Sequence, residues 1–503
     1  MSRECEGRHI VKRIIVCGVL VLDTPTCLGN GDAEGPTDLM LLRDSISAKA
    51  LLTGSSIAGA LRNYLHEYKR DYGKSERRQD IAAKLFGDLF AYDDEKHLPE
   101  QQKLDTKKQD TQSPLIIDDA LSRDSPRIEL RDGVKIDSAT GTAADQAKYD
   151  LELLSAGTQF PLNFELLIDR ENDENQLREA LALALEGLKS GEISIGMKKR
   201  RGFGRCHVDE WQVWEFDLRQ HRDRVAWLSL DRSWSKPYAK PPTTSQSIAA
   251  ALGVTPTQPD RRDRFFLQAT FKLASPLLIR SGQDSTGCAP DVVHLRSHRD
   301  GELKPVLSGT SLAGVLRHRA ERIVNTLNKP EKIVNDLFGF VEKNSKQAKA
   351  SRLVVHESVI ENTADLVQNR IAIDRFTGGA YHGALFDEQP IFGSDKTIVT
   401  VELELRNPKD YEIGLLLLLL KDLWTSDLPV GGESSIGRGR LQGKDATLTW
   451  HKWDKEKKIQ QKEEWTIVQA GENKPLEVSD YDRLEEFVQH LVNYPTEVVK
   501  VNE

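Results

Sequence analysis

The amino-acid sequence predicts an α+β protein built from two tandem ferredoxin-like units. Three observations carry that expectation. Four short motifs recur in the same order in the two halves of the chain, each half opens on an alternating apolar stretch, and each then runs helix, strands, helix and a glycine loop.

The repeat fixes the number of units before any fold is known. Residues 52–62 read LTGSSIAGALR and residues 307–317 read LSGTSLAGVLR. Leu85-Phe86-Gly87 returns as Leu337-Phe338-Gly339, and Ile136-Asp137 with Thr140-Gly141 returns as Ile373-Asp374 with Thr377-Gly378. Gly202-Phe203-Gly204-Arg205 returns as Gly437-Arg438-Gly439-Arg440. The displacement shrinks from 255 residues at the first motif (Gly54 to Gly309) to 235 at the last (Gly202 to Gly437), as insertions and deletions in surface loops produce.

Element by element, residues 10–22 and 265–279 alternate as half-buried strands do. A helix follows in each half. In the first, Ser55 or Ser56 is the expected cap, and Ile57, Leu61, Tyr64 and Leu65 share one apolar face. Residues 160–168 and 397–405 read as strands, and residues 174–189 and 410–423 as the helices after them. The apolar run 413–420, closed by Lys421, is too short to cross a bilayer and reads as a buried helix. The proline-bearing stretch 236–259 marks a linker, giving domains at 1–215 and 263–455, a linker at 216–262 and a charged C-terminal extension at 456–503. One terminal helix is expected around residues 481–492, and residues 93–112 read as a polar, lysine-rich insertion.

Composition narrows the function. With 29% charged and 7% aromatic residues the chain is of globular type, and no signal-peptide apolar region opens it. Its five cysteines have no metal-ligand spacing, so free thiols in a reducing cytoplasm are expected. A net charge of −8 argues against a globally basic nucleic-acid binder, so local clusters must carry any such role.

One such cluster is Lys198, Lys199, Arg200, Arg201 and Arg205, set among glycines that let backbone N–H groups approach phosphate. Its second copy keeps the glycines but only Arg438 and Arg440. The helix starts at Ser55-Ser56 and Thr310-Ser311 offer N–H groups and hydroxyls to a phosphate, with Arg62 and Arg317 one to two turns on; ordinary capping explains the hydroxyls equally well. Two long glycine- and proline-bearing loops follow the opening strands. In both, an aspartate precedes a short run ending in arginine, Asp38 to Arg43 and Asp291 to Arg296, and this shared frame singles out Asp38 and Asp291. Asp32 and Asp284 lack a common spacing and rank below them. His294 has Leu41 at its counterpart and reads as a surface residue.

Together these motifs resemble the RAMP superfamily of CRISPR-associated proteins. Within it, the chain resembles the backbone subunits (the Cas-seven family) of type III effector complexes, fused in tandem as in the type III-D branch. The resemblance implies an RRM-like palm with a hairpin thumb, which residues 123–142 and 358–382 fit. It also implies a CRISPR guide RNA, a complementary target RNA and further subunits of the complex as partners, with no membrane. In that family an aspartate at the matching loop position cleaves target RNA with Mg²⁺ or another divalent metal, so Asp38 and Asp291 are the implied catalytic and metal-binding residues. A carboxylate beside a phosphate can hold Mg²⁺ or help deprotonate a 2′-OH, although one carboxylate is a thin site for an ion that prefers six oxygens. Two rival readings are a non-catalytic guide-binding backbone, in which the aspartates cap turns, and a guide-processing endoribonuclease, for which no acid-base constellation recurs in both halves.

Overall fold

The computed structural model describes residues 8–31, 39–108, 110–137, 140–171, 173–230, 241–256, 258–281, 290–342, 348–471 and 474–496. In the first half β1 (Ile10–Leu22) leads through α1 (Gly54–Arg70) and α2 (Ile81–Phe86) to β2 (Leu115–Ile117). A hairpin of β3 (Ile128–Ile136) and β4 (Ala143–Leu154) follows, then β5 (Gln159–Asp169), α3 (Glu174–Lys189) and β6 (Cys206–Asp217). The sheet is antiparallel, in the order β2-β5-β1-β6.

The second half repeats this path. Here β7 (Arg264–Leu273) leads through α4 (Gly309–Thr326) and α5 (Lys332–Phe338) to β8 (Leu353–Val355). The hairpin β9 (Gln368–Ile373) and β10 (Ala380–Gln389) precedes β11 (Ile398–Arg406), α6 (Asp410–Trp424) and β12 (Leu441–Asp454). The order β8-β11-β7-β12, again antiparallel, matches the first half strand for strand.

Alternation explains why each sheet takes helices on one face. Phe160, Leu162, Phe164, Leu166 and Ile168 of β5 all point inward, as do Val399, Val401, Leu403 and Leu405 of β11. They pack on α1 and α3, and on α4 and α6, to give one core per half. Burying each such side chain contributes ~1.5–3 kcal/mol. The run 413–420 lies inside α6, buried, and α6 is covered by α7 (Tyr481–Val492), whose Leu484, Phe487 and Leu491 join the same core. No described helix is long and apolar enough to cross a membrane.

Several boundaries differ from the sequence reading. The strand expected over 265–279 ends at Leu273, because beyond it the chain leaves β11 and β12 and Leu277 bridges Ile391 instead. Residues 93–112 include a short helix, Glu100–Lys107, with no buried side chain. Within 236–259, the helix Ile248–Ala251 inserts Ile248, Ala251 and Leu252 into the first core. In the C-terminal extension, β13 (Ile459–Gln469) adds to the second sheet beside β12.

The Ile-Asp-x-x-Thr-Gly motif closes both hairpins. The Asp137 carboxylate accepts the N–H of Thr140, and Asp374 accepts those of Phe376 and Thr377, at 2.7–2.9 Å. Both aspartates hold the N–H of the threonine three residues on, which explains the spacing from aspartate to threonine, and Asp374 closes an Asx turn as well.

Candidate RNA interface

The two glycine loops share one backbone, residue for residue. Lys198 and Glu433 are left-handed (φ 54° and 62°), a 3₁₀ turn follows each, and Gly202 and Gly437 both have φ 87°. Ile195 N–H donates to Gly204 O at 2.9 Å, as Val430 does to Gly439 at 2.8 Å. The Thr24 and Ser275 hydroxyls accept from the backbone N–H of Arg205 and Arg440 at 3.0 and 2.9 Å. A β-carbon on Gly204 or Gly439 would stand 1.9 Å from a carbonyl oxygen, so only glycine closes the loop there. Thr24-Pro25 and Ser275-Pro276, which brace these loops, form a repeat that the sequence reading missed although both pairs stand in plain sight just after the opening strands.

The aspartate loops also follow a common track. Asp38 lies outside the described residues, as do Asp32 and Asp284. The next residue along, Leu39, bridges Leu151 in parallel on β4, and Val292, which follows Asp291, pairs in parallel with Glu388 at the equivalent place on β10. Bridges from Thr26 to Leu154 and from Gly29 to Leu41 recur as Leu277 to Ile391 and Arg280 to His294. Asp291 is exposed, and one of its carboxylate oxygens accepts the N–H of Asp387 at 3.0 Å. His294 is not the surface residue expected: it is 2% exposed, with Nδ1 accepting the N–H of Ile279 and Nε2 facing the carbonyl of Val306, both at 3.1 Å. Burial pushes its pKa down to about 4, so it is a neutral core residue.

At the helix starts, the caps lie two or three residues earlier than expected. Thr53, not Ser55 or Ser56, accepts the N–H of Ser56, and Ser308 accepts that of Ser311. Ser55 and Ser56, whose hydroxyls share hydrogen bonds with that of Thr53 at 3.1 and 2.9 Å, are exposed on a cleft of about 350 Å³ whose other walls include Gly29, Met197 and Lys199. Loop base, helix start and glycine loop thus meet, as a phosphate-binding surface requires.

Arg62 and Arg317, expected near phosphate, turn inward instead. Arg62 donates to Gly87 O at 2.9 Å and to Glu76 at 2.8 Å; Arg317 donates to Gly339 O at 2.8 Å and to Asn335 Oδ1 at 2.9 Å. Each ties its helix to the Leu-Phe-Gly turn, which accounts for the coupling of these two motifs in both halves.

The basic loop of the first half faces the second half more than solvent. Arg205 pairs with Glu402 at 3.1 Å, and Arg201 donates to Phe338 O at 3.4 Å. Burial and the neighbouring Arg406 lower the pKa of Arg200, and burial with Arg317 lowers that of Arg201. Lys198 lies over the Tyr149 ring at 3.7 Å; Lys199, its pKa lowered by burial and by Arg200, lines the cleft and is the loop cation placed there for a ligand. In the second loop Arg438 is a correction. It is 4% exposed and bound to Glu388 at 2.8 Å and Glu433 at 2.6 Å. Burial opposes the Glu388 carboxylate, but the hydrogen bond with Glu433 and the charges of Arg438 and Arg370 hold it below the usual range; burial and Glu388 together raise Glu433. Arg440 stays exposed.

Asp291 offers a divalent metal one carboxylate with one oxygen already engaged, and among the described residues no three His, Cys, Asp or Glu side chains stand together to hold an ion. The described donors therefore do not build a metal centre.

Compared with known families, the RAMP superfamily matches residues 19–207 and 270–442, more than half the chain and one stretch in each half. No curated protein matches the chain. The motifs that bind each half together lie within the matched stretches, and the chain belongs to the RAMP superfamily.

Proposed function

We propose that this chain is a tandem backbone subunit of a type III CRISPR effector complex, of the type III-D kind, that holds guide RNA and cleaves complementary target RNA once per half. A ferredoxin-like reading of each half is supported by its βαββαβ order, with the hairpin inserted as a thumb. The domain division of 1–215 and 263–455 goes with this reading, and the packing of Ile248 extends the first unit into the linker.

One observation carries the catalytic part: the residues that follow Asp38 and Asp291 pair with equivalent positions of the two hairpins. Each aspartate would accept the proton of a ribose 2′-OH. The 2′ oxygen forms a bond to the adjacent phosphorus, the bond to the 5′ oxygen breaks, and that oxygen takes a proton from water. Mg²⁺ or another divalent ion would find a single protein carboxylate here, with phosphate and water supplying the rest.

A non-catalytic backbone remains the second reading, favoured by the hydrogen bond from Asp387 N–H, which gives Asp291 an anchoring role. Labelled complementary RNA incubated with the assembled complex, with and without Mg²⁺, separates the two. Asp38→Ala and Asp291→Ala should each remove a different cut and leave binding intact. A wild-type pattern from both variants leaves the structural backbone.

A further inference from the structure

A second cleft, of about 260 Å³, opens at the far end of α1 from Ser55 and Ser56. His66, Lys69 and Arg70 of α1 line it together with Asp80, Glu179 of α3 and Arg261. The lining has two ends of different chemistry. At one, His66 is 8% exposed and its Nε2 donates to the carbonyl of Lys74 at 2.8 Å. In the neutral ring this leaves Nδ1 a buried acceptor without a hydrogen-bond partner, 3.9 Å from Asp80 Oδ2. Two acceptors across a gap require a donor between them. Arg70 already pairs with Asp80 at 3.5 Å, so a neutral hydroxyl suits the gap better than a further cation.

Lys69 and Arg261 form the other end. Among the described residues neither makes an ion pair, and Arg261 is held over the Trp453 ring at 5.4 Å. Burial, opposed by Glu179 and aided by Arg261, lowers the Lys69 pKa to about 8. An anion between the two cations would relieve both.

The fold does not require this cleft. The repeat sets Lys69 against Val324, and the matching bonds from Ile193 N–H to Gly187 O and from Leu428 N–H to Asp422 O set Glu179 against Gly414. Val324 is fully buried, and a β-carbon on Gly414 would meet the carbonyl oxygen of Phe487 at 2.2 Å, so α7 seals the second half at this place. With glutamate in place of that glycine, no helix can settle on the first half in the same way. Charged groups there replace an apolar seal.

We propose that this cleft binds a phosphorylated sugar, such as the ribose phosphate of a nucleotide, with the phosphate between Lys69 and Arg261 and a hydroxyl donating to His66 and Asp80. Carboxylates take ribose hydroxyls in this way in dinucleotide-binding folds. A cleft just below the usual ~300–1,000 Å³ of ligand sites suits one such unit rather than a strand. It shares no residue with the proposed RNA cleft and stands whether or not that reading does.

Calorimetric titration of the RNA-free full chain with ribose 5-phosphate, AMP, ribose and inorganic phosphate tests it. Ribose 5-phosphate should bind more tightly than ribose or inorganic phosphate, each of which fills one end only. Equal binding of AMP points to a nucleotide, and exclusion of AMP to a free sugar phosphate. Lys69→Met and Arg261→Gln should each weaken binding about tenfold or more with an unchanged circular dichroism spectrum, and Lys69→Arg should keep it. Inorganic phosphate binding as tightly as ribose 5-phosphate overturns the proposal, as does a failure of both esters to bind. So does a loss caused by Lys199→Ala but not by Lys69→Met, since the ligand would then occupy the cleft beside Ser55.

Discussion

Glu357, with a fully buried side chain in the second half, receives both terminal nitrogens of Arg131 from the hairpin of the first half. Arg299 holds the same carboxylate at 2.5 Å, while Glu129 accepts from Ser297 and from the N–H of His298 at 3.0 and 2.9 Å. Four charged groups are thus buried where the halves meet, each with partners.

Removing one member strands the others. Arg131→Met should lower the unfolding free energy by ~3–5 kcal/mol, because Glu357 would keep its burial and lose one of its two cations. Glu357→Gln should act in the same direction. Combining Arg131→Met with Glu357→Gln should cost clearly less than the sum of the two, as read in a double-mutant cycle by urea unfolding. Strict additivity would show that the two residues are not coupled.

Arg62→Ala and Arg317→Ala should each lower stability by ~1–3 kcal/mol through loss of the hydrogen bonds to Gly87 and Gly339. Guide-RNA affinity per folded molecule should not change. Filter binding alongside thermal melts decides the matter: weaker binding with an unchanged melt would put these arginines on the RNA.

His294 makes stability depend on pH. The unfolded chain takes up this proton near 6.5 and the native protein only near 4, so its contribution is complete above about pH 6.5 and is lost as pH falls toward 4. The loss runs at up to ~1.4 kcal/mol per pH unit in that window. His294→Gln should reduce stability at pH 7 yet flatten the slope between pH 4 and 6.5 by one proton, measured as melting temperature across buffers. An unchanged slope would mean that His294 is not the titrating group.

Asp291→Asn separates chemistry from anchoring. The amide oxygen can still accept the N–H of Asp387, but the side chain can no longer take a proton. If Asp291 is the base, this variant should lose its cut as fully as Asp291→Ala does. Attack by the 2′-OH further requires a 2′,3′-cyclic phosphate upstream and a 5′-OH downstream, and a 2′-deoxy nucleotide at the cut should block it. Retained cleavage by Asp291→Asn would assign the residue to holding the loop against the hairpin.

The sequence alone determined the two-unit architecture and most of its elements. Ile10–Leu22 and Glu174–Lys189 run as alternation and helical periodicity specify, because each presents a continuous apolar face to one core. The paired aspartate frames were legible too, since a repeated spacing survives as sequence. Side-chain partners were not. That Arg62 reaches Gly87, that Arg438 lies buried among glutamates, and that Arg201 and Arg205 turn toward the second half were decided by tertiary structure. Periodicity says which way a residue faces along its own element. A long cation in a glycine loop has no such period, and whether it meets RNA or a carboxylate depends on the surface that folding brings opposite it.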